Sequence, residues 1–351
     1  MGKMAVNARQ AKTVASRWVN QTGARLPGFR GAYFAGSVAS LSEGDVSPPW
    51  TDVDIMVVID DDLPVKIGKM SDDGVLLDVT FLPQELLRSP GAILGHYHLA
   101  HSFANAAIIA DRYGELTPLQ TVVAREFAKR RWVDVRRLDA RIKVEVGLAS
   151  LPAEAPFHEQ VLSWVFPTGV LTHILLVAGL RNPTVRRRYE ETVHMLTAYQ
   201  LDDIYESLLE VLGCDRMTRD QVERHLAAVS EAFDAAAKIV DAPFPFASDI
   251  SELARPIAID GSREMIVRGL HREAVFWIVV TWSRSLKILD HAGALPANSP
   301  SRDGYRRLLG DLGLASHADL KRRSEQVLTL LPEVWNVADE IIRANPEIIR
   351  D

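Results

Sequence analysis

One cysteine stands among 351 residues. Cys214 has no partner for an internal disulfide, and a zinc site built on thiolates cannot form. Basic residues are not in excess: 40 Lys and Arg face 46 Asp and Glu, a net charge of −6. General nucleic-acid binders carry a basic surface, so no nucleic-acid partner is expected. The opening stretch, MGKMAVNARQ, lacks the apolar core of a signal peptide, and Val6 stands where a myristoylation pattern needs Ser or Thr. Long apolar runs are scarce. The most apolar stretch, Trp164 to Leu180, contains Pro167, Thr168, Gly169, Thr172 and His173, and reads as a buried helix rather than a membrane span. No internal repeat and no low-complexity segment occurs. The expectation is a soluble cytoplasmic protein with no membrane partner.

What is present is ordinary globular composition, 47% hydrophobic and 25% charged. The length suits two or three domains. Apolar positions at helical spacing predict an opening helix from Val6 to about Thr22. Strands are expected at Phe29–Ala35, Ile55–Ile59, Val75–Leu82 and Ala106–Ala110, with turn chemistry at Ser71-Asp72-Asp73-Gly74. From about Leu116 the pattern turns helical: Pro118–Ser150, His158–Gly179, Pro183–Leu212 and Thr218–Val240. A Pro/Phe-rich connector, Ala242 to Ala247, precedes a further helical stretch with breaks near Pro296, Pro300 and Pro332. The expected fold class is an α+β N-terminal domain, a small mixed sheet with flanking helices, over residues 1–115. An all-α helical bundle follows over 116–241, with a connector and C-terminal helical region over 242–351.

Three pieces carry chemistry. Gly36-Ser37 closes one strand, Asp52-Val53-Asp54 opens the next, and Asp78 interrupts a third in Leu77-Asp78-Val79. Two carboxylates two residues apart on a strand share a face, about 7 Å apart at the backbone. A carboxylate inside an apolar strand is costly unless it is paired. If the second and third strands are neighbours, three carboxylates converge and need a cation between them. Hard oxygen ligands of this kind select magnesium, which binds a few carboxylates together with substrate phosphates. Gly36 would let a phosphate approach the backbone, where Ser37 and the following amides can donate to it. A short helix opening at Val38–Leu41 would add its dipole.

This arrangement of strand, Gly-Ser, spacer, Asp-x-Asp, strand and Asp resembles the nucleotidyltransferase superfamily with its polymerase-β-like fold. The resemblance covers about Phe29 to Asp111 and includes Thr51 before the first aspartate and Asp111-x-x-Gly114 after the last strand. It implies that Asp52 and Asp54 ligate two Mg²⁺ ions, that Asp78 is a third ligand or the base, and that Ser37 contacts the terminal phosphates. A nucleoside triphosphate, ATP or another, would be the donor. An acceptor hydroxyl would attack its α-phosphate and release pyrophosphate. The spacer Val38 to Thr51, with Pro48-Pro49-Trp50, is long for the family. The helical region, through "REFAKRRW" (Arg125 to Trp132) and "GVLTHILLVAGLRNPTVRRRY" (Gly169 to Tyr189), resembles that of aminoglycoside nucleotidyltransferases. By that likeness Glu126 would be the base and Lys129 a phosphate contact, although their spacing is off by one residue. Glu145, Glu190 and Glu191 are rivals for the base. The resemblance implies AMP transfer to a small-molecule hydroxyl, in a possible homodimer. Adenylylation of a protein target and nucleotide binding without turnover are the alternatives.

Other clusters have plainer readings. Asp60-Asp61-Asp62 reads as a solvated loop. His96, His98 and His101, expected on one helix, do not have zinc-face spacing. The Lys129–Lys143 basic run, interleaved with Asp134, Asp139 and Glu145, reads as a solvated face. Arg186-Arg187-Arg188 with Glu190-Glu191 reads as a charge-paired helix surface, and Trp277 and Trp282 as core.

Overall fold

The computed structural model describes residues 6–39, 41, 42, 44–48, 50–60, 67–239 and 242–350, with the side chains of Val6 and Ser47 left out. Pro49, Asp61 and Asp62, named above, and Ser40 within the Val38–Leu41 stretch lie outside the described residues. The chain divides into two compact units, Met1–Trp132 and Val133–Asp351.

The first unit runs β1 (Val6–Asn7), α1 (Ala8–Gln21), β2 (Phe29–Ala35), α2 (Gly36–Ala39), β3 (Val46–Ser47), β4 (Val53–Ile59), β5 (Gly68–Asp72), β6 (Val75–Pro83), α3 (Pro90–Leu94), α4 (Ala100–Ala104), β7 (Ala107–Asp111) and α5 (Leu116–Glu126). Five strands form one mixed sheet in the order β5-β6-β4-β2-β7. Only the β4–β6 pair is parallel. The expected small mixed sheet with flanking helices is what forms. The long spacer is used by a two-residue ribbon, in which β3 pairs with β1 just before α1 begins.

Both faces of the sheet are apolar, as central strands require. Along β4, Val53, Ile55, Val57 and Ile59 enter a core with Val14, Ala15, Trp18 and Val19 of α1. On the opposite face Tyr33, Ala35 and Val58 pack with Ile93, Leu94, Phe103, Leu116 and Val123. α5 thus belongs to the first unit, so the expected division at residue 115 falls inside it. Asp111 anchors that helix: its carboxylate accepts from the backbone N–H groups of Glu115 and Thr117 and from the Thr117 hydroxyl. Burial pushes its pKa up, but these donors overcome that and hold it below the usual carboxylate range.

β5, which the sequence reading leaves unassigned, is a strand because Asp73-Gly74 makes a two-residue hairpin turn. Asp72 pairs with Val75, and both turn residues have positive φ, 42° and 77°.

The second unit is helical: most of α6 (Arg130–Ala149), then α7 (Phe157–Ala178), α8 (Arg188–Tyr199), α9 (Asp203–Leu212), α10 (Arg219–Ala236), α11 (Gly261–Val267), α12 (His271–His291), α13 (Pro300–Asp311) and α14 (His317–Ala344). α7 is the only described helix long and apolar enough to cross a membrane, and 78% of its most apolar window is buried inside the protein. It packs on α12 and α14 as a core helix. Trp282 is fully buried.

In two charged runs expected at the surface, some members are inside while Arg130, Arg131 and Lys143 are exposed. Arg136 and Arg137 of α6 are buried. Arg137 reaches Asp339 at 2.6 Å and lies 4.1 Å over the Trp335 ring, while burial pushes the Arg136 guanidinium down to about 9. Arg188 is likewise buried, 4.0 Å over Phe276. Periodicity missed this because long arginine stems sheathe apolar surface as well as any aliphatic chain.

Glu190 is fully buried too, and it accepts from Arg187 at 2.6 Å and Arg268 at 2.7 Å. Burial pushes its pKa up, but the two arginines outweigh this and hold it below the usual range. A depressed carboxylate contributes stability above its unfolded pKa, about 4.3, and loses it as pH falls through the folded value. Glu190→Gln should therefore cost about 1–3 kcal/mol near neutrality, with the difference from wild type vanishing in acid. Urea unfolding across that pH range checks this; a difference independent of pH would contradict it.

Candidate active site

Strand alternation and register build the site. Val53 and Ile55 on β4, and Leu77 and Val79 on β6, enter the α1-side core. Asp54 and Asp78 must therefore emerge on the other face. The parallel register sets Asp54 beside Asp78, the hairpin sets Asp78 beside Lys69, and β2 sets Ala35 beside Asp54. Lys69, Asp78, Asp54 and Ala35 thus form one row across four strands. Asp52, two residues before Asp54, joins the same face.

Asp52, Asp54 and Asp78 each offer an oxygen, and the three oxygens lie within 4.8 Å of one another. The juxtaposition expected from the sequence is present. Lys69 was not foreseen. Its side chain is 7% exposed, and its ammonium donates to Asp52 Oδ2 at 2.6 Å and to Asp78 Oδ2 at 2.5 Å. It answers for part of the charge that three converging carboxylates require.

Gly36 makes the row possible. It sits where β2 ends and α2 begins, with φ of +63°, and a Cβ built there would fall 1.8 Å from Asp54 Oδ2. The space that glycine leaves is taken by the Asp54 carboxylate, which lies against the strand–helix turn. Ser37 is exposed in the first turn of α2. Thr51 closes a turn, its hydroxyl and N–H both donating to Pro48 O. Asp60 lies beyond the far end of β4 and pairs with Arg30 at 2.6 Å.

Glu126 ends α5, with Lys129 Nζ at 2.7 Å, Arg131 at 2.8 Å and Arg125 at 3.2 Å. The bond from Lys129, then those from Arg125 and Arg131, outweigh the upward push of desolvation and hold its carboxyl below the usual range. The structure brings Glu126 and Lys129 together as an ion pair. A carboxylate gripped in this way is a weak proton acceptor. His96, His98 and His101 fall on a turn and the short α4 rather than on one helix, and the His96 ring accepts from the N–H groups of His98 and Leu99.

No protein-family model and no curated protein sequence matches this chain.

Proposed function

We propose that the chain is a magnesium-dependent nucleotidyltransferase that moves a nucleoside monophosphate, AMP from ATP, onto a hydroxyl of a small molecule such as an aminoglycoside-like antibiotic. The observation that carries this reading is the acidic triad Asp52, Asp54 and Asp78, gathered beside Gly36-Ser37 where β2 passes into α2. The donor set fits: hard carboxylate oxygens within 4.8 Å of one another suit an ion that holds oxygens at about 2.0–2.1 Å. Asp52, Asp54 and Asp78 would hold two such ions. Bound magnesium supplies charge neutralisation and in-line orientation for the triphosphate. Ser37, exposed beside the triad, donates to the terminal phosphates. The acceptor hydroxyl forms the new bond to the α-phosphorus as the bond to pyrophosphate breaks, and its proton passes to a carboxylate. Glu126, which three cations hold in its charged form, is a poor acceptor for that proton. In the second unit, a cleft of about 500 Å³ includes Asp202, Asp203, Glu206 and Glu273 against the single guanidinium of Arg272, a surface suited to a cationic molecule.

One observation favours a second reading. Lys69 already bridges two of the three carboxylates, so the cluster could be a structural ion network that binds no nucleotide. Thermal unfolding with each nucleoside triphosphate, with and without Mg²⁺, separates the two. Ligand at about 100 times its dissociation constant stabilises by roughly 2.7 kcal/mol, a shift of a few degrees at this size. The expected result is a magnesium-dependent shift with one nucleotide, lost in Asp52→Asn. No shift with any nucleotide would support the structural network.

A further inference from the structure

We propose, resting on that nucleotidyltransferase reading, that Lys69 is a built-in competitor for the divalent ion: it holds the Asp52 and Asp78 oxygens that the ion would take and leaves them as the ion loads. The geometry is specific. The ammonium lies 2.6 Å from Asp52 Oδ2 and 2.5 Å from Asp78 Oδ2, and the hairpin register delivers it from the sheet edge directly opposite Asp78. A cation coordinated at about 2.1 Å has little room on oxygens already engaged by an ammonium, and the two positive charges repel at this range. Lysine suits the role because its charge rides on a flexible four-carbon stem. It can swing without disturbing the strand that carries it.

The consequence is coupled loading. A divalent ion alone must displace the Lys69 ammonium from both oxygens, so it binds weakly. A triphosphate brings several negative charges, gives Lys69 a new acceptor, and lets ion and nucleotide enter together. Lys69 then serves as a positioning residue that discourages occupation by metal without substrate.

The test uses the full chain and Mn²⁺ as the probe, with free Mn²⁺ read by electron paramagnetic resonance in the absence of nucleotide. Lys69→Met and Lys69→Gln should bind Mn²⁺ at least about tenfold more tightly than wild type, the size of one ordinary pair interaction. Lys69→Arg, which keeps the charge, should not. Circular dichroism checks that each variant is folded. A second readout needs only the wild type: on adding Mg²⁺, the Lys69 side-chain ammonium resonance should shift, the signal being assigned by its loss in Lys69→Arg. Equal Mn²⁺ affinity in the folded charge-removal variants, or magnesium bound without that shift, overturns the proposal. If Asp54→Asn binds Mn²⁺ as well as wild type, or no protein of the set binds it, the metal assignment itself fails and the competition falls with it.

Discussion

Asp54→Asn is expected to lower magnesium-dependent pyrophosphate release by at least about 10²–10³-fold, the usual cost of one preorganised electrostatic group, while the protein stays folded. The prediction follows from position. Asp54 stands in the row between Ala35 and Asp78, and it lies against Gly36. Asparagine keeps the shape and so keeps the strand pairing. It removes one negative charge and replaces one ligand oxygen with an N–H donor that a cation repels. Because the substitution also relieves repulsion among three carboxylates, the thermal midpoint should hold or rise. Release is measured with each nucleoside triphosphate against a panel of aminoglycoside acceptors, beside a thermal unfolding curve. Turnover equal to wild type would remove Asp54 from the metal site. A collapsed midpoint would mean that its role is structural.

Gly36→Ala should match that loss of turnover by a different route. Its backbone lies at φ of +63°, a conformation that costs an L-residue roughly 1–2 kcal/mol. The larger effect is steric, since the new Cβ would meet Asp54 Oδ2 at 1.8 Å. Either the carboxylate leaves the row or the end of β2 moves. The expected result is a destabilisation of about 1–3 kcal/mol together with loss of the nucleotide-dependent thermal shift. Gly74→Ala is the control, because Gly74 has φ of +77° but nothing near its Cβ position. It should pay the backbone strain and keep turnover. Equal activity in the two alanine variants would show that Gly36 is needed only for its turn.

Much of the first unit was legible because its signals are local. Phe29–Ala35 is legible to the residue, since the apolar run Ala32–Ala35 ends at Gly36. Lys69 was within reach of the same reasoning. A two-residue Asp-Gly turn fixes hairpin register, and counting back from Asp72 and forward from Val75 sets Lys69 opposite Asp78. It went unseen because Gly68–Asp72 is too polar to read as a strand by itself. Its strand character comes from the partner it pairs with. The helical breaks at Phe127–Lys129 and at Gln200 were invisible for a related reason: neither carries proline or glycine, and Gln200 ends its helix in the left-handed conformation at φ of 59°.

The sequence by itself determined that Asp52 and Asp54 share a face, that Asp78 stands in an apolar strand, and that a strand ends at Gly36. These follow from steric rules acting between residues close in the chain. Tertiary structure alone decided that β6 lies parallel to β4 with Asp78 in register with Asp54, so that the Lys69 of the hairpin also meets Asp52. It also decided that Arg136, Arg188 and Glu190 are inside. Such pairings join residues far apart in sequence, or turn on which face of a helix the rest of the fold covers. A charged side chain has the same local preferences whether it ends in water or against a buried partner, so no local pattern could have distinguished the two.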